Sequence, residues 1–106
     1  MNSVPIKPET LYLWAKKKFG DSKCMEIKYC NNKNPEYGQY SFGDKVIRLN
    51  LRHIRNRTHI YRVVAHEWTH AQQSATWYFR YQKIYGYHFN PYEVRARERE
   101  RKIWTK

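Results

Sequence analysis

The sequence predicts a single α+β domain over residues 1–106, in which helices surround a small, mainly antiparallel three-stranded sheet. Three extended stretches lie together in the first half of the chain, at 24–30, 37–42 and 45–51, and helical patterns lie before and after them. The chain has 106 residues, of which 17% are aromatic, so it can bury one modest core.

The first half of the chain carries clear start and stop signals. An N-terminal helix is expected after Lys7, because Pro8 suits its first turn, and Gly20 is expected to close it. Gly43 and Asp44 separate the second and third extended stretches, and a two-residue connection of this kind predicts a β-hairpin. Polar and apolar residues alternate in the third stretch, so we expect a strand with one buried face and one exposed face.

A long helix is expected after the basic connector RHIRNR at 52–57. Thr58 is its expected N-cap, and its helical pattern continues to about Ala75. The aromatic segment 76–89 is ambiguous: it can extend this helix, and Gly86 is expected to end it.

The stretch AHEWTHAQQ at 65–73 lies inside the long helix and is the strongest chemical signal in the chain. A spacing of four residues places His66 and His70 one turn apart on one side of the helix, where both imidazoles can reach one metal ion. Glu67 lies about 100° further round the helix, too far to be a third ligand but well placed to move the proton of a metal-bound water. The alternative is a helix with two ordinary histidines and a surface glutamate.

A third metal ligand is expected downstream, because catalytic zinc sites usually have three protein ligands. Asn90 and Pro91 restart the chain as an N-cap and a first helical residue. Glu93 follows in the first turn and shares a face with Ala96, whose small side chain allows a close approach to the metal helix. Glu93 is the preferred ligand, and the alternative for it is a capping box with Asn90. His88 is the other candidate ligand.

Further groups around such a site are less well defined by the sequence. Glu100 lies two turns from Glu93 on the same face, where it could accept a hydrogen bond from a ligand histidine or pair with an arginine. A hydrolase also needs a donor for the developing oxyanion. The arginines are suitable, and so are five tyrosines of the second half of the chain: Tyr78, Tyr81, Tyr85, Tyr87 and Tyr92.

The charge balance and the cysteines bear on partners and location. The chain has 21 basic and 9 acidic residues, and the net charge of +12 predicts attraction to polyanions such as nucleic acid. The arginines of segment 95–102 and the tyrosines support this alternative, although alternating Arg and Glu is also typical of a self-paired helix face. Cys24 and Cys30 are expected to be free thiols. No signal peptide or long apolar run is visible, so a cytoplasmic location is expected.

The blocks VVAHEWTHAQQ at 63–73 and NPYEVRA at 90–96 resemble the gluzincin group of zinc metallopeptidases, and the order of elements is similar to the minimal single-domain members called minigluzincins. The resemblance implies a zincin-like fold whose C-terminal helix carries the third ligand. It also implies one Zn²⁺ ion per chain and hydrolysis of peptide bonds by a metal-activated water. The implied ligands are His66, His70 and Glu93, with Glu67 as general base and acid.

The same resemblance implies how a peptide or protein substrate binds. The strand at 45–51 would be the sheet edge beside the cleft, where a peptide adds as an antiparallel strand. Family members often have an acidic residue four positions after the glutamate ligand, whereas this chain has Arg97 there, so the surroundings of the site must differ. Single-domain members lack the second lobe of a deep cleft, which leaves open whether such an enzyme is active or self-inhibited.

A second resemblance, to SprT-like proteases that act on proteins bound to DNA, is based on the basic composition together with HEWTH. These proteases use a third histidine, which would make His88 the ligand. The corresponding alternative function is a protease associated with nucleic acid, or a binding module with a structural or vestigial zinc site.

Overall fold

The structure is a computed structural model that describes residues 6–103. Within these residues it is a small α+β domain with one three-stranded sheet, as the sequence predicts, and it has four helices, one more than predicted. The elements in chain order are α1 (Pro8–Phe19), β1 (Glu26–Cys30), β2 (Gly38–Ser41), β3 (Val46–Asn50), α2 (Arg57–Ala71), α3 (Ala75–Phe89) and α4 (Pro91–Arg101).

The sheet is mixed, and its strand order is β1-β3-β2. β1 runs parallel to β3, with Ile27 beside Ile47, and β2 runs antiparallel to β3, with Tyr40 beside Ile47. The predicted hairpin between β2 and β3 is therefore confirmed, but its connection comprises residues 42–45 and not only the predicted Gly43 and Asp44. The prediction of a mainly antiparallel sheet is wrong, because one of the two strand pairings is parallel.

β3 is the central strand, which corrects the prediction that residues 45–51 form the sheet edge. The expected exposed face of this strand is also largely covered, since only Arg48 of its five residues is partly exposed. A strand that is buried on both faces belongs in the middle of a sheet. The two edge strands are β1 and β2.

The side chain of Asn50 binds the loop that joins β1 to β2 across the end of β3. Asn50 is 3% exposed. Its Nδ2 lies 3.2 Å from the carbonyl oxygen of Asn32 and 3.3 Å from those of Asn34 and Glu36. These contacts hold residues 31–37 around the end of β3, where the chain passes from β1 on one side to β2 on the other.

The hydrophobic core lies between the sheet and the helices α1 and α2. Trp68 of α2 is fully buried there, with Leu11 and Ile47 as neighbours in the same cluster. Its indole Nε1 donates to the carbonyl oxygen of Gly20 at 3.0 Å, so it joins the end of α1 to α2. Burying a side chain of this size contributes roughly 3 kcal/mol. Gly20 ends α1 with a positive φ of 90°, as predicted.

The long helix α2 begins earlier than the sequence predicts. Asn56 is its N-cap, and the side-chain oxygen of Asn56 accepts a hydrogen bond from the main-chain N–H of His59 at 2.8 Å. Thr58, the predicted N-cap, already lies inside the first turn. An asparagine is at least as good a cap as a threonine, so either residue satisfied the sequence rule.

α3 is a separate helix and not an extension of α2. Ser74 caps it by accepting a hydrogen bond from the N–H of Trp77 at 3.3 Å. Gly86, with φ at 76°, lies at a kink where the regular helical conformation from Ala75 ends, as predicted, and a short second helical stretch follows to Phe89. α3 has no buried residue, and it packs against α4. Cys24 and Cys30 are both free thiols, as expected.

The helices within residues 6–103 are all too short or too polar to span a lipid bilayer.

Candidate metal centre

Three side chains from two helices converge on one point. His66 and His70 lie one turn apart on α2, and Glu93 lies in the first turn of α4. Nε2 of His66 is 3.1 Å from Oε1 of Glu93, and Nε2 of His70 is 3.2 Å from Oε2. One ligand atom of each residue lies within 4.8 Å of the other two, so a single metal ion can bind all three. The capping-box alternative for Glu93 is not what the structure shows, because both carboxylate oxygens face the histidines.

The outer nitrogen of each histidine has its own acceptor. Nδ1 of His66 lies 2.7 Å from Oε1 of Glu100, and Nδ1 of His70 lies 2.8 Å from Oε1 of Gln73. The amide of Gln73 is oriented by a second hydrogen bond, from its Nε2 to the carbonyl oxygen of Tyr92 at 3.2 Å. Acceptors at both Nδ1 atoms place a proton there and turn Nε2 toward Glu93, which is the arrangement found around ligand histidines.

His70 provides a direct test of whether these residues suit a metal ion. Its Nε2 is buried and makes no hydrogen bond to any described residue. Glu93 is within ion-pair distance of this nitrogen but not in hydrogen-bond geometry. A buried nitrogen without a partner is costly, and a cation between it and the carboxylate would satisfy both groups. Two imidazoles and one carboxylate are also a donor set typical of catalytic zinc.

The charges of the metal-free site compensate one another. Burial lowers the pKa of His66, but hydrogen bonds to Glu100 and Glu93 outweigh burial and raise this pKa to about 10. Burial raises the pKa of Glu93, but the hydrogen bond with His66 and the proximity of His70 outweigh it and hold this pKa well below its usual range. Without a metal, the proton on His66 therefore supplies the positive charge that Glu93 requires.

Glu67 faces the same cleft but is not part of the three-residue cluster. Its side chain is 9% exposed, and its Oε1 accepts a hydrogen bond from the main-chain N–H of Tyr40 in β2 at 2.8 Å. Burial raises the pKa of Glu67. The carboxylate is thus held in one orientation by a main-chain donor, and its tendency to accept a proton is increased.

Tyr78 is the tyrosine closest to the three-residue cluster. Its hydroxyl donates a short hydrogen bond to Oε2 of Glu93. Burial and the adjacent carboxylate raise the pKa of Tyr78 well above its usual range, so the hydroxyl keeps its proton and remains a donor. Tyr87 also lines the cleft, whereas Tyr81, Tyr85 and Tyr92 do not.

The cleft that contains these groups has a volume of about 590 Å³. It is enclosed by α2, β2, α3 and α4 together with residues 35–37, which precede β2. A space of this volume is large enough for several residues of an extended peptide.

His88 does not join the cluster. It is exposed near the end of α3, and its ring contacts Phe89. Its main-chain carbonyl accepts a hydrogen bond from the guanidinium of Arg97. Gln73 and the N–H of Tyr40 are the partners that sequence reasoning missed. Gln73 lies three residues after His70 but beyond the end of α2, so helical spacing alone did not identify it.

No protein-family model, curated protein or solved structure matches this chain at a significant level. The functional interpretation therefore depends on the geometry of the residues themselves.

Proposed function

We propose that the protein is a zinc-dependent metallopeptidase of the gluzincin type. The supporting observation is the convergence of His66, His70 and Glu93 in a cleft, next to a buried Glu67 that is held by a main-chain N–H. The unpartnered Nε2 of His70 adds weight to a cation at this point. A structural zinc site would have a fourth protein ligand and would not need Glu67.

In this proposal the two histidines and Glu93 would hold one Zn²⁺ ion, which would supply Lewis-acid activation of a water and of the substrate carbonyl. Glu67 takes the proton of the attacking water and passes it to the leaving amine. Its raised pKa suits a group that must carry a proton between these two events. Tyr78 would release its hydrogen bond to Glu93 and donate to the developing oxyanion instead, since its hydroxyl remains protonated and lies at the site.

The substrate peptide lies along β2, not along residues 45–51. The carbonyl of Tyr37 accepts a hydrogen bond from the N–H of Asn50, the last residue of β3. Because the direction of main-chain groups alternates along a strand, those of Tyr37 and Gln39 face β3, and those of Gly38 and Tyr40 face away from it. The N–H of Tyr40 already binds Glu67. The carbonyls of Gly38 and Tyr40 and the N–H of Gly38 are then the edge groups for an added antiparallel strand.

The first test is metal content by elemental mass spectrometry. Wild-type protein should hold one zinc per chain, His66→Ala should lose it, and Glu93→Gln should hold it weakly. His88→Ala is the matched control and should retain a full equivalent. Loss of zinc in His88→Ala but not in Glu93→Gln would instead favour the SprT-like ligand set. No zinc in wild-type protein, even after addition of zinc, would refute the proposal.

The second test is hydrolysis of a mixed peptide pool by the zinc-loaded protein. Glu67→Gln should keep its zinc and lower the rate by at least 10²-fold, because only proton transfer is removed. Zinc-loaded wild-type protein that cleaves no peptide would leave a metal site without the proposed activity.

A further inference from the structure

We infer that the cleft selects substrates with a carboxylate on the C-terminal side of the scissile bond, and that Arg97 and Arg101 recognise it. This inference names a substrate class for the proposed peptidase and therefore rests on that function. The starting observation is that both arginines line the cleft, one turn apart on α4. They lie one and two turns beyond Glu93, on the same side of the helix.

The carboxylates of the site are not available to neutralise these arginines. Glu93 is bonded to the histidines and Tyr78, Glu67 to the N–H of Tyr40, and Glu100 to His66. The remaining acidic residue that lines the cleft, Glu36, is exposed and makes no ion pair with another described residue.

Each arginine has donors to spare. Arg97 uses one nitrogen to bind the carbonyl oxygen of His88, which fixes the position of its guanidinium but leaves further N–H groups. Arg101 is exposed, and its side chain makes no hydrogen bond or ion pair within the described part of the chain. A planar guanidinium with free donors binds a carboxylate in a bidentate manner.

The two helices define which end of the cleft carries Arg101. α4 runs beside α2 in the opposite direction: Gln73 contacts Tyr92 near the start of α4, and Arg62 contacts Ile103 just beyond its end. Arg101 therefore lies level with the first half of α2, and the metal cluster lies toward the second half.

β2 gives the substrate its direction. Gly38 lies against Val63, Tyr40 against Glu67, and Phe42 against Tyr78, so the strand runs from the Arg101 end of the cleft toward Tyr78. A peptide added antiparallel to β2 runs the other way, and its C-terminal half lies at the Arg101 end. The carboxylate recognised there is either an Asp or Glu side chain or the free C-terminus of the peptide.

Fluorescence anisotropy with fluorescein-labelled peptides tests this inference without turnover. The protein carries Glu67→Gln and is loaded with zinc. The peptides are identical alanine-based chains in which the residue two positions beyond the centre is Glu or Gln, and each is made with a free or an amidated C-terminus. We expect a peptide with a carboxylate to bind about tenfold more tightly than the amidated Gln peptide, as charge-assisted hydrogen bonds produce.

Variants separate local recognition from overall charge. Arg101→Gln should remove most of the preference, and Glu36→Gln should increase it, because an opposing charge is lost. Arg95→Gln is the matched control, since Arg95 is exposed on the same helix, does not line the cleft and carries the same charge. Its preference should equal that of the parent protein.

The inference is overturned if the peptides bind equally, or if Arg95→Gln weakens the preference as much as Arg101→Gln does. A preference that survives amidation assigns the carboxylate to the side chain, and one that needs the free acid assigns it to the C-terminus. Cleavage of the same peptides by wild-type protein is scored separately. Binding preference without cleavage would refute the peptidase proposal alone, and cleavage without preference would refute this inference alone.

Discussion

Gly38 offers a sharp test of how β2 is held against the metal helix. A Cβ added at this position would lie 2.5 Å from Cγ1 of Val63 and 3.1 Å from the carbonyl oxygen of Arg48. Val63 is only 5% exposed on α2, and Arg48 contributes main chain from the central strand, so neither can move freely. Gly38→Ala should therefore destabilise the fold by about 1–3 kcal/mol, the range for overpacking of a close contact.

The same clash has a functional consequence. Displacing β2 from α2 moves the N–H of Tyr40 away from Glu67, which loses the donor that orients it. Peptide hydrolysis by Gly38→Ala should fall more than the loss of folded protein explains, and bound zinc should be unchanged because β2 contributes no ligand.

Urea denaturation of a double-mutant cycle with Val63→Ala measures the contact itself. Val63→Ala alone should cost about 2 kcal/mol through lost burial. In the double variant the new methyl group enters the vacated space. The double variant should therefore be destabilised by at least about 1 kcal/mol less than the sum of the two single variants. Gly43→Ala, whose Cβ would be 3.8 Å from its nearest neighbour, is the control and should cost under about 0.5 kcal/mol. Simple additivity of the pair, or a harmless Gly38→Ala, would refute the reasoning.

Four further predictions concern the site. Zinc affinity should rise with pH, because the metal displaces the proton that His66 retains with its pKa of about 10. Calorimetry in buffers of different ionisation enthalpy measures the release of that proton. A zinc affinity that does not change with pH would contradict the prediction. The raised pKa of His66 also stabilises the metal-free fold, fully below pH 6.5 and progressively less as pH rises through about 10. The thermal unfolding midpoint of the metal-free protein should therefore fall between pH 6.5 and about 10. Glu100→Gln should weaken zinc binding about 10- to 100-fold, as measured by chelator competition. Tyr78→Phe should keep its zinc and lower kcat for peptide hydrolysis about 10²-fold at a similar KM.

The helices could be predicted from the sequence because their signals are local. Pro8 and Gly20 bound α1, and Asn90 with Pro91 begins α4, each through the conformation of one or two residues. The sheet could not be predicted to the same depth. Alternation reports which residues share a face, but it does not report which strands are neighbours. The order places the loop between β1 and β2 across the end of β3, where the buried amide of Asn50 binds it, and such a contact between residues distant in sequence has no local signal.

The candidate site shows the same division. The spacing of His66 and His70 is a property of one helix, so their shared face was predictable. The proximity of Glu93 to the histidines was also expected correctly. Asn90, three residues before it, caps a new helix and so places Glu93 in the first turn of α4. The acceptors for the histidines were not: Glu100 had arginine neighbours as an equal alternative, and Gln73 lies beyond the end of α2.

The site exists because two small residues let other elements approach one helix. Gly38 brings β2 into contact with α2, and Ala96, fully buried on α4, lets the helix that carries Glu93 pack beside the histidines. A larger side chain at either position would move one wall of the cleft away from α2, where the ligand histidines and Glu67 are fixed. β2 and α4 in turn carry the groups that would contact a substrate. In the proposed peptidase, residues such as Arg97 on α4 could thus alter substrate selection without any change to the spacing of the histidines on α2.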